Sequence, residues 1–204
     1  GGAPHADIAE FFDVAPHGKL EPPVVVALSV TEGVKYAHAG GYTGSELLDF
    51  TRGVLAGEVE QHLRAAAEPQ QSGPLVELVG STFSRVVFES GKDVLVQFYS
   101  PDCGHCRKLQ PVYSRLAEKF AADESLVIAQ MDGTANDAPG MVPDGFPTIV
   151  LYAKGSHSGV EYDGSRDLHD LEQFISDVRS GKEHVGGLPD SAIASVAGED
   201  SKIE

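Results

Sequence analysis

Between Asp93 and Pro111 the chain reads DVLVQFYSPDCGHCRKLQP, which places its only two cysteines, Cys103 and Cys106, in a Cys-Gly-His-Cys motif. The motif falls where an apolar, strand-like run gives way to a helix-like one. A thiol at a helix N-terminus meets unsatisfied backbone N–H groups and the positive end of the helix dipole, and both favour the thiolate. The thiolate is the nucleophile of disulfide exchange, so a lowered thiol pKa there is a functional property. Two cysteines at this spacing also close on each other, and the pair reads as a redox dithiol.

Cys-x-x-Cys pairs have other uses. A tetrahedral zinc site needs four ligands, and the chain has no second cysteine pair. The eight histidines, His5, His17, His38, His62, His105, His157, His169 and His184, are scattered and show no His-x₃₋₅-His spacing. Two buried structural thiols and a static disulfide are the remaining alternatives.

The pattern after Pro74 alternates strands and helices. Leu75–Val79 is a short apolar run and Thr82–Phe88 a short helix. Val94–Tyr99 is apolar on both faces, as a central parallel strand is. Cys103–Phe120 carries Leu109, Val112, Tyr113, Leu116 and Phe120 near helical spacing, with Pro111 inside it. Leu126–Met131 is the next strand. Asp132–Gly145 is too rich in Gly, Pro and Asp for a long helix. Thr148–Tyr152 and Val160–Tyr162 form a hairpin-type pair, and Asp167–Ser180 is a closing amphipathic helix with Gly181 as its stop.

Before Pro74 the order is helix, strand, strand, helix. Asp7–Phe12 reads as a helix end, Val24–Val30 as a strand, and Val34–Ala39 as its partner through Thr31-Glu32-Gly33. Ser45 is the expected N-cap of a helix over Glu46–Ala56. The expected organisation is therefore a partial unit over 1–63, a linker over 64–74, a full α/β domain over 75–182 and a flexible tail over 183–204. A formal net charge of −16 argues against nucleic-acid binding, which needs Lys and Arg against phosphate. The apolar run Val24–Val30 has strand length rather than membrane-spanning length, so no membrane partner is expected.

Three stretches carry a resemblance. FYSPDCGHCRKLQPVYSRLAEKF resembles the FYAPWCGHCKxLAPxxxxLAxxF of the protein disulfide isomerase family, MDGTAND its MDxTAN, and GFPTIVLY its xFPTxxxF. The resemblance implies a thioredoxin fold, a mixed central sheet flanked by helices, over Leu75 to about Gly181. AEFFDV, PPVVVALSV and FTRGVLAGEVEQHLRAAAEP resemble the closing half of the redox-inactive, substrate-binding domain that precedes the last catalytic domain. On that basis the chain is expected to be a C-terminal fragment of a longer isomerase.

Carried over residue by residue, the resemblance makes Cys103 the attacking thiolate and Cys106 the buried resolving thiol. Gly104 and His105 lie between them, His105 as an imidazolium stabilising the thiolate. Phe146 and Pro147 are the substrate-facing pair, Pro147 matching a cis-proline that faces the disulfide. Arg166 matches an arginine that lowers the pKa of the resolving cysteine. The implied activity is formation, reduction and rearrangement of disulfides in unfolded or misfolded proteins. It would run in the endoplasmic reticulum lumen, with an upstream oxidant or glutathione, and with no cofactor beyond the Cys103–Cys106 disulfide. A chaperone-like binding module with dispensable thiols and a thioredoxin-type general reductant are the alternatives.

Three positions depart from the family pattern. Its Trp before the first cysteine is Asp102 here, its buried Glu is Gln97, and the Lys that accompanies that Glu is Gln130. Losing both charges together leaves no buried ion unpaired, and the expectation is an amide pair between Gln97 and Gln130.

Overall fold

A computed structural model describes residues 11–14, 23–30, 34–38 and 40–182. The expected turn at Thr31-Glu32-Gly33, most of the Asp7–Phe12 helix end and the tail from 183 lie outside them. The chain divides between Arg64 and Ala65 into two compact units.

In the first unit β1 (Val25–Leu28) and β2 (Lys35–His38) pair antiparallel, Val26 opposite Ala37. They are followed by α1 (Gly44–Ala56). The cap of α1 is Thr43, not Ser45. Thr43 and Glu46 form a capping box, the hydroxyl accepting the Glu46 N–H and the Glu46 carboxylate accepting the Thr43 N–H at 3.0 Å. Two orphan N–H groups are satisfied this way, which a cap at Ser45 without a Glu or Gln three residues on does not offer. Lys35 is buried, its Nζ donating to the Phe11 carbonyl at 3.0 Å over the Phe11 ring.

The second unit holds a five-stranded sheet of order β3-β5-β4-β6-β7, built from β3 (Val76–Leu78), β4 (Asp93–Tyr99), β5 (Leu126–Asp132), β6 (Thr148–Tyr152) and β7 (Gly159–Glu161). The three strands β3, β5 and β4 run parallel, while β6 pairs antiparallel to β4 and β7 to β6. The helices are α2 (Gly80–Val87), α3 (Gly104–Phe120), which continues through Pro111, and α4 (Leu168–Arg179).

Side chains alternate along β4 and divide the core. Val94, Val96 and Phe98 pack with Phe83 and Val87 of α2, while Leu95 packs with Leu109, Tyr113 and Leu116 of α3 and Leu171 and Phe174 of α4. Asp167 caps α4 by accepting the Asp170 N–H at 3.0 Å, and Gly181, at φ 75°, takes the left-handed conformation that ends it. Residues 65–74 form no helix or strand but are tied to this unit. Asn136, buried, accepts N–H groups of both Ala66 and Gly80, and the Gln71 amide bonds the backbone N–H and C=O of Glu77 at the edge of β3. No helix among the described residues is long and apolar enough to cross a membrane.

Candidate active site

The central strand β4 ends at Tyr99, and within five residues the chain has turned into α3. Cys103 is the N-cap of that helix. Its sulfur accepts the Cys106 N–H at 3.2 Å, the place a Ser or Asp oxygen takes in an ordinary cap. Both cysteines are free thiols in this structure. Cys103 is half-buried and Cys106, one turn on and facing the sheet, is buried.

These placements split the two thiols electrostatically. The pKa of Cys103 is lowered, first by its hydrogen bond with the Cys106 side chain, then by the N–H groups of Cys106 and His105, and by the charge of Arg107. That of Cys106 is pushed up to about 11 by burial, and further because its proton is held by the neighbouring sulfur. One thiol ionises more readily than an ordinary thiol; the other keeps its proton.

His105 is exposed and acts on Cys103 through its backbone N–H. The charge of Arg107, a residue outside the expected set, also lowers the Cys103 pKa. Its guanidinium donates to the Pro101 carbonyl at 3.1 Å, so it is held beside the turn that presents the thiol. The available signal was its spacing: Arg107 follows Cys103 by four residues, one helical turn. Gly104 opens the helix, and the nearest atom to a side chain there would be an Arg107 guanidinium nitrogen at 3.9 Å.

The loop before β6 supplies the opposite wall. The carbonyl of Phe146 lies 3.4 Å from the Cys103 sulfur, and the Phe146–Pro147 peptide bond is cis. The Phe146 ring lies against Gly133, where any Cβ would come within 2.7 Å of it. Arg166, from the loop between β7 and α4, donates to the Pro147 carbonyl at 3.3 Å. The structure thus gathers Cys103, Gly104, His105, Cys106, Phe146 and Pro147 at one end of the sheet, with Arg166 bonded to the proline's backbone. Among the described residues no cluster of His, Cys, Asp or Glu is arranged to hold a metal ion.

The expected amide pair does not form. Gln130 donates to Glu77 Oε2 at 2.6 Å and accepts from Gln110 Nε2 at 3.0 Å, leaving Gln97 without a hydrogen-bond partner for either amide atom. A carboxylate is a stronger acceptor than an amide oxygen, and Glu77 sits directly beside Gln130 in the parallel register. Glu77 also accepts from Tyr99 Oη at 2.9 Å.

Partial burial raises the Glu77 pKa, against the lowering effect of the Gln130 and Tyr99 bonds and with a further raise from Asp132. A carboxyl whose pKa is higher in the folded state is neutral in both states at low pH. Once it ionises, the folded state carries the cost, so its contribution to stability falls as pH rises through that raised value. Urea unfolding of the natural chain and of Glu77→Gln should therefore diverge from about pH 4 upward, the natural chain losing ground. A difference that stays flat, or that moves the other way, would contradict this account of Glu77.

A five-stranded mixed sheet whose central strand runs into a helix opened by a Cys-x-x-Cys pair, with a cis-proline loop against the first sulfur, defines a thioredoxin-fold dithiol domain. Comparison with known proteins agrees. The family model named Thioredoxin matches residues 74–177, and the chain belongs to the thioredoxin family. Protein disulfide-isomerase of Drosophila melanogaster is 35% identical over 175 residues, covering 84% of this chain and 35% of that protein. Protein disulfide-isomerase of Aspergillus oryzae is 41% identical over 176 residues, covering 83% and 34%. The chain spans about a third of the length of these relatives. Among solved structures, the J-Trx1 fragment of ERdj5 is similar over 52% of this chain and 50% of that one, at 25% identity and a TM-score of 0.44. The fold assignment rests on the family match and the topology.

Proposed function

We propose that this chain catalyses thiol–disulfide exchange as part of a protein disulfide isomerase, forming, reducing and rearranging disulfides in unfolded or misfolded proteins. The observation that carries the reading is the asymmetry of the two thiols: Cys103 capping α3 with a lowered pKa, and Cys106 behind it, buried and raised to about 11. Thiolate character governs which sulfur attacks and which leaves. In the reducing direction Cys103 attacks a substrate disulfide and forms a mixed disulfide, and Cys106 then loses its proton and attacks Cys103, which closes the Cys103–Cys106 disulfide and releases the substrate thiolate. In isomerisation another thiolate of the same substrate attacks the mixed disulfide instead, forming a new substrate disulfide and releasing Cys103 reduced, with Cys106 as the escape when that attack fails. In the oxidising direction a substrate thiolate attacks that disulfide, and a second substrate thiol completes the transfer.

Phe146 and Pro147 are the wall against which the substrate's sulfur is presented, and Arg166 positions that wall through the Pro147 carbonyl. The Cys103–Cys106 pair is the only redox group the reaction requires, recharged by an upstream oxidant or glutathione. The similarity to protein disulfide-isomerases supports the endoplasmic reticulum lumen as the place of work. In the same reading residues 1–63 are the closing half of a redox-inactive neighbour domain, 64–74 joins it to the catalytic domain over 75–182, and 183–204 is a tail. The test is reactivation of a reduced, scrambled client enzyme in glutathione buffer. The full chain should accelerate recovery well above buffer alone; no acceleration would overturn the reading.

A further inference from the structure

A disulfide that reacts at Cys103 extends outward from the sulfur. Cys106 beneath is buried, and the Phe146 carbonyl stands 3.4 Å from the Cys103 sulfur on one side. On the other side the partner passes over exposed residues, Asp102, Gly104, His105 and Arg107. The charges those residues carry bear on which partners are drawn to the thiol.

Arg107 is the fixed charge among them. Its side chain runs from the first turn of α3 back to the turn before the helix, where Nη1 donates to the Pro101 carbonyl at 3.1 Å. Nη2 is left beside Gly104, 3.9 Å from where a Cβ would stand, and the glycine leaves that space open. Beyond the bond to Pro101 the guanidinium donors have no partner among the described residues, and Arg107 joins no ion pair there. A cation already tied down loses little further freedom when an anion arrives. Asp102 is different: its backbone N–H bonds the Ser100 hydroxyl at 3.3 Å, but nothing holds its exposed carboxylate in place. Lys108, exposed and outside any ion pair among the described residues, adds a second positive charge next to Arg107.

Range decides which charges matter. The chain as a whole is acidic, with a formal net charge of −16. At physiological ionic strength exposed charges are largely screened beyond about 8 Å. An arriving disulfide therefore responds to the charges beside the sulfur more than to the total. Arg107 follows Cys103 by one helical turn, a spacing of about 5–6 Å between side-chain origins. A carboxylate one residue from the partner's cysteine, about 3.5 Å along an extended chain, comes within reach of the guanidinium. Such a contact is a charge-assisted hydrogen bond.

We propose that Arg107 makes Cys103 selective for disulfides that carry a carboxylate beside the reacting sulfur, and against those that carry an amine there. The proposal rests on the exchange reaction proposed above and names the class of partner it favours. Glutathione disulfide is the small member of that class, its glycine carboxylate one residue from the cysteine. In the step concerned the Cys103 thiolate attacks one sulfur of the disulfide. A bond forms between the two sulfurs, the partner's S–S bond breaks, and its electron pair leaves on the second sulfur as a thiolate. Cys103 is oxidised and the released half is reduced. Arg107 holds the carboxylate of the half that stays on Cys103. Ionisation of the thiol helps the attack on every disulfide alike, whereas this contact helps only the anionic ones.

The reduced full chain is mixed at neutral pH with glutathione disulfide, with uncharged hydroxyethyl disulfide or with cationic cystamine. Acid quenching and mass give the initial rate at which Cys103 is oxidised. In Arg107→Gln the ratio of the glutathione rate to the cystamine rate should fall about fivefold, the hydroxyethyl rate measuring any change common to all three. Arg107→Lys keeps the charge and should retain most of the ratio, and added salt should shrink it in the natural chain. Arg107→Ala is the substitute if the glutamine variant is not folded by circular dichroism. No reaction of the natural chain with any of the three would overturn the exchange reaction itself. Reaction with all three, and a ratio unmoved by removal of the Arg107 charge or rates that all fall together, would overturn this proposal alone.

Discussion

Replacing Cys103 with serine should lower client reactivation by on the order of a thousandfold or more, to the rate of the buffer. The hydroxyl stays protonated in the range where a capped thiol ionises, so the attacking anion is lost while the helix cap is kept, serine being a good N-cap. The fold should therefore be unaffected, and unfolding curves of Cys103→Ser and the natural chain should nearly coincide. Cys106→Ser separates the two thiols' roles. Cys103 would still attack, but no second thiol would resolve the product, so mixed disulfides with client should accumulate. Retained reactivation in Cys103→Ser would mean the site works without its nucleophile, and the functional reading would fail.

The largest loss of stability should come from Phe83→Ala. Phe83 is fully buried on the α2 face of the sheet, with ring centroids 5.6 Å from Phe88, 6.2 Å from Phe98 and 5.8 Å from Tyr152. Truncation removes the anchor of the two-turn α2 and leaves a cavity between helix and sheet. A change of this kind costs about 3–5 kcal/mol. In a domain of this size that lowers the thermal midpoint by at least about 10 °C. The dithiol is on the α3 side of the same sheet, so the Cys103 pKa measured well below the new midpoint should be unchanged. A cost below about 1 kcal/mol would mean the aromatic cluster collapses around the gap.

The strand-to-helix switch around the cysteines was legible because both periods are strong there: every residue of β4 from Val94 to Phe98 is buried, and α3 carries an apolar stripe from Cys106 to Leu116. The cap of α1 was misplaced by two residues because Thr43 and Ser45 are both capping types. Only the carboxylate three residues after Thr43 separates them, and it makes the reciprocal bond. The fate of Gln130 was not legible, since its choice of Glu77 over Gln97 depends on strand order, which brings β3 and not β4 alone beside β5. Arg107 was missed for a different reason. It lies outside the Cys-x-x-Cys motif, one helical turn after the thiol on which its charge acts.

The central claim is that one thiol attacks while the other is held back, and alkylation tests it most directly. The reduced full chain is treated with iodoacetamide from acid to alkaline pH, and the modified cysteine is located by peptide mass. Cys103 should be modified first at every pH, titrating below an ordinary thiol, with Cys106 nearly inert until the solution approaches its pKa of about 11. Modification of Cys106 at a comparable rate near neutrality, or titration of Cys103 at or above the value of an ordinary thiol, would contradict the account.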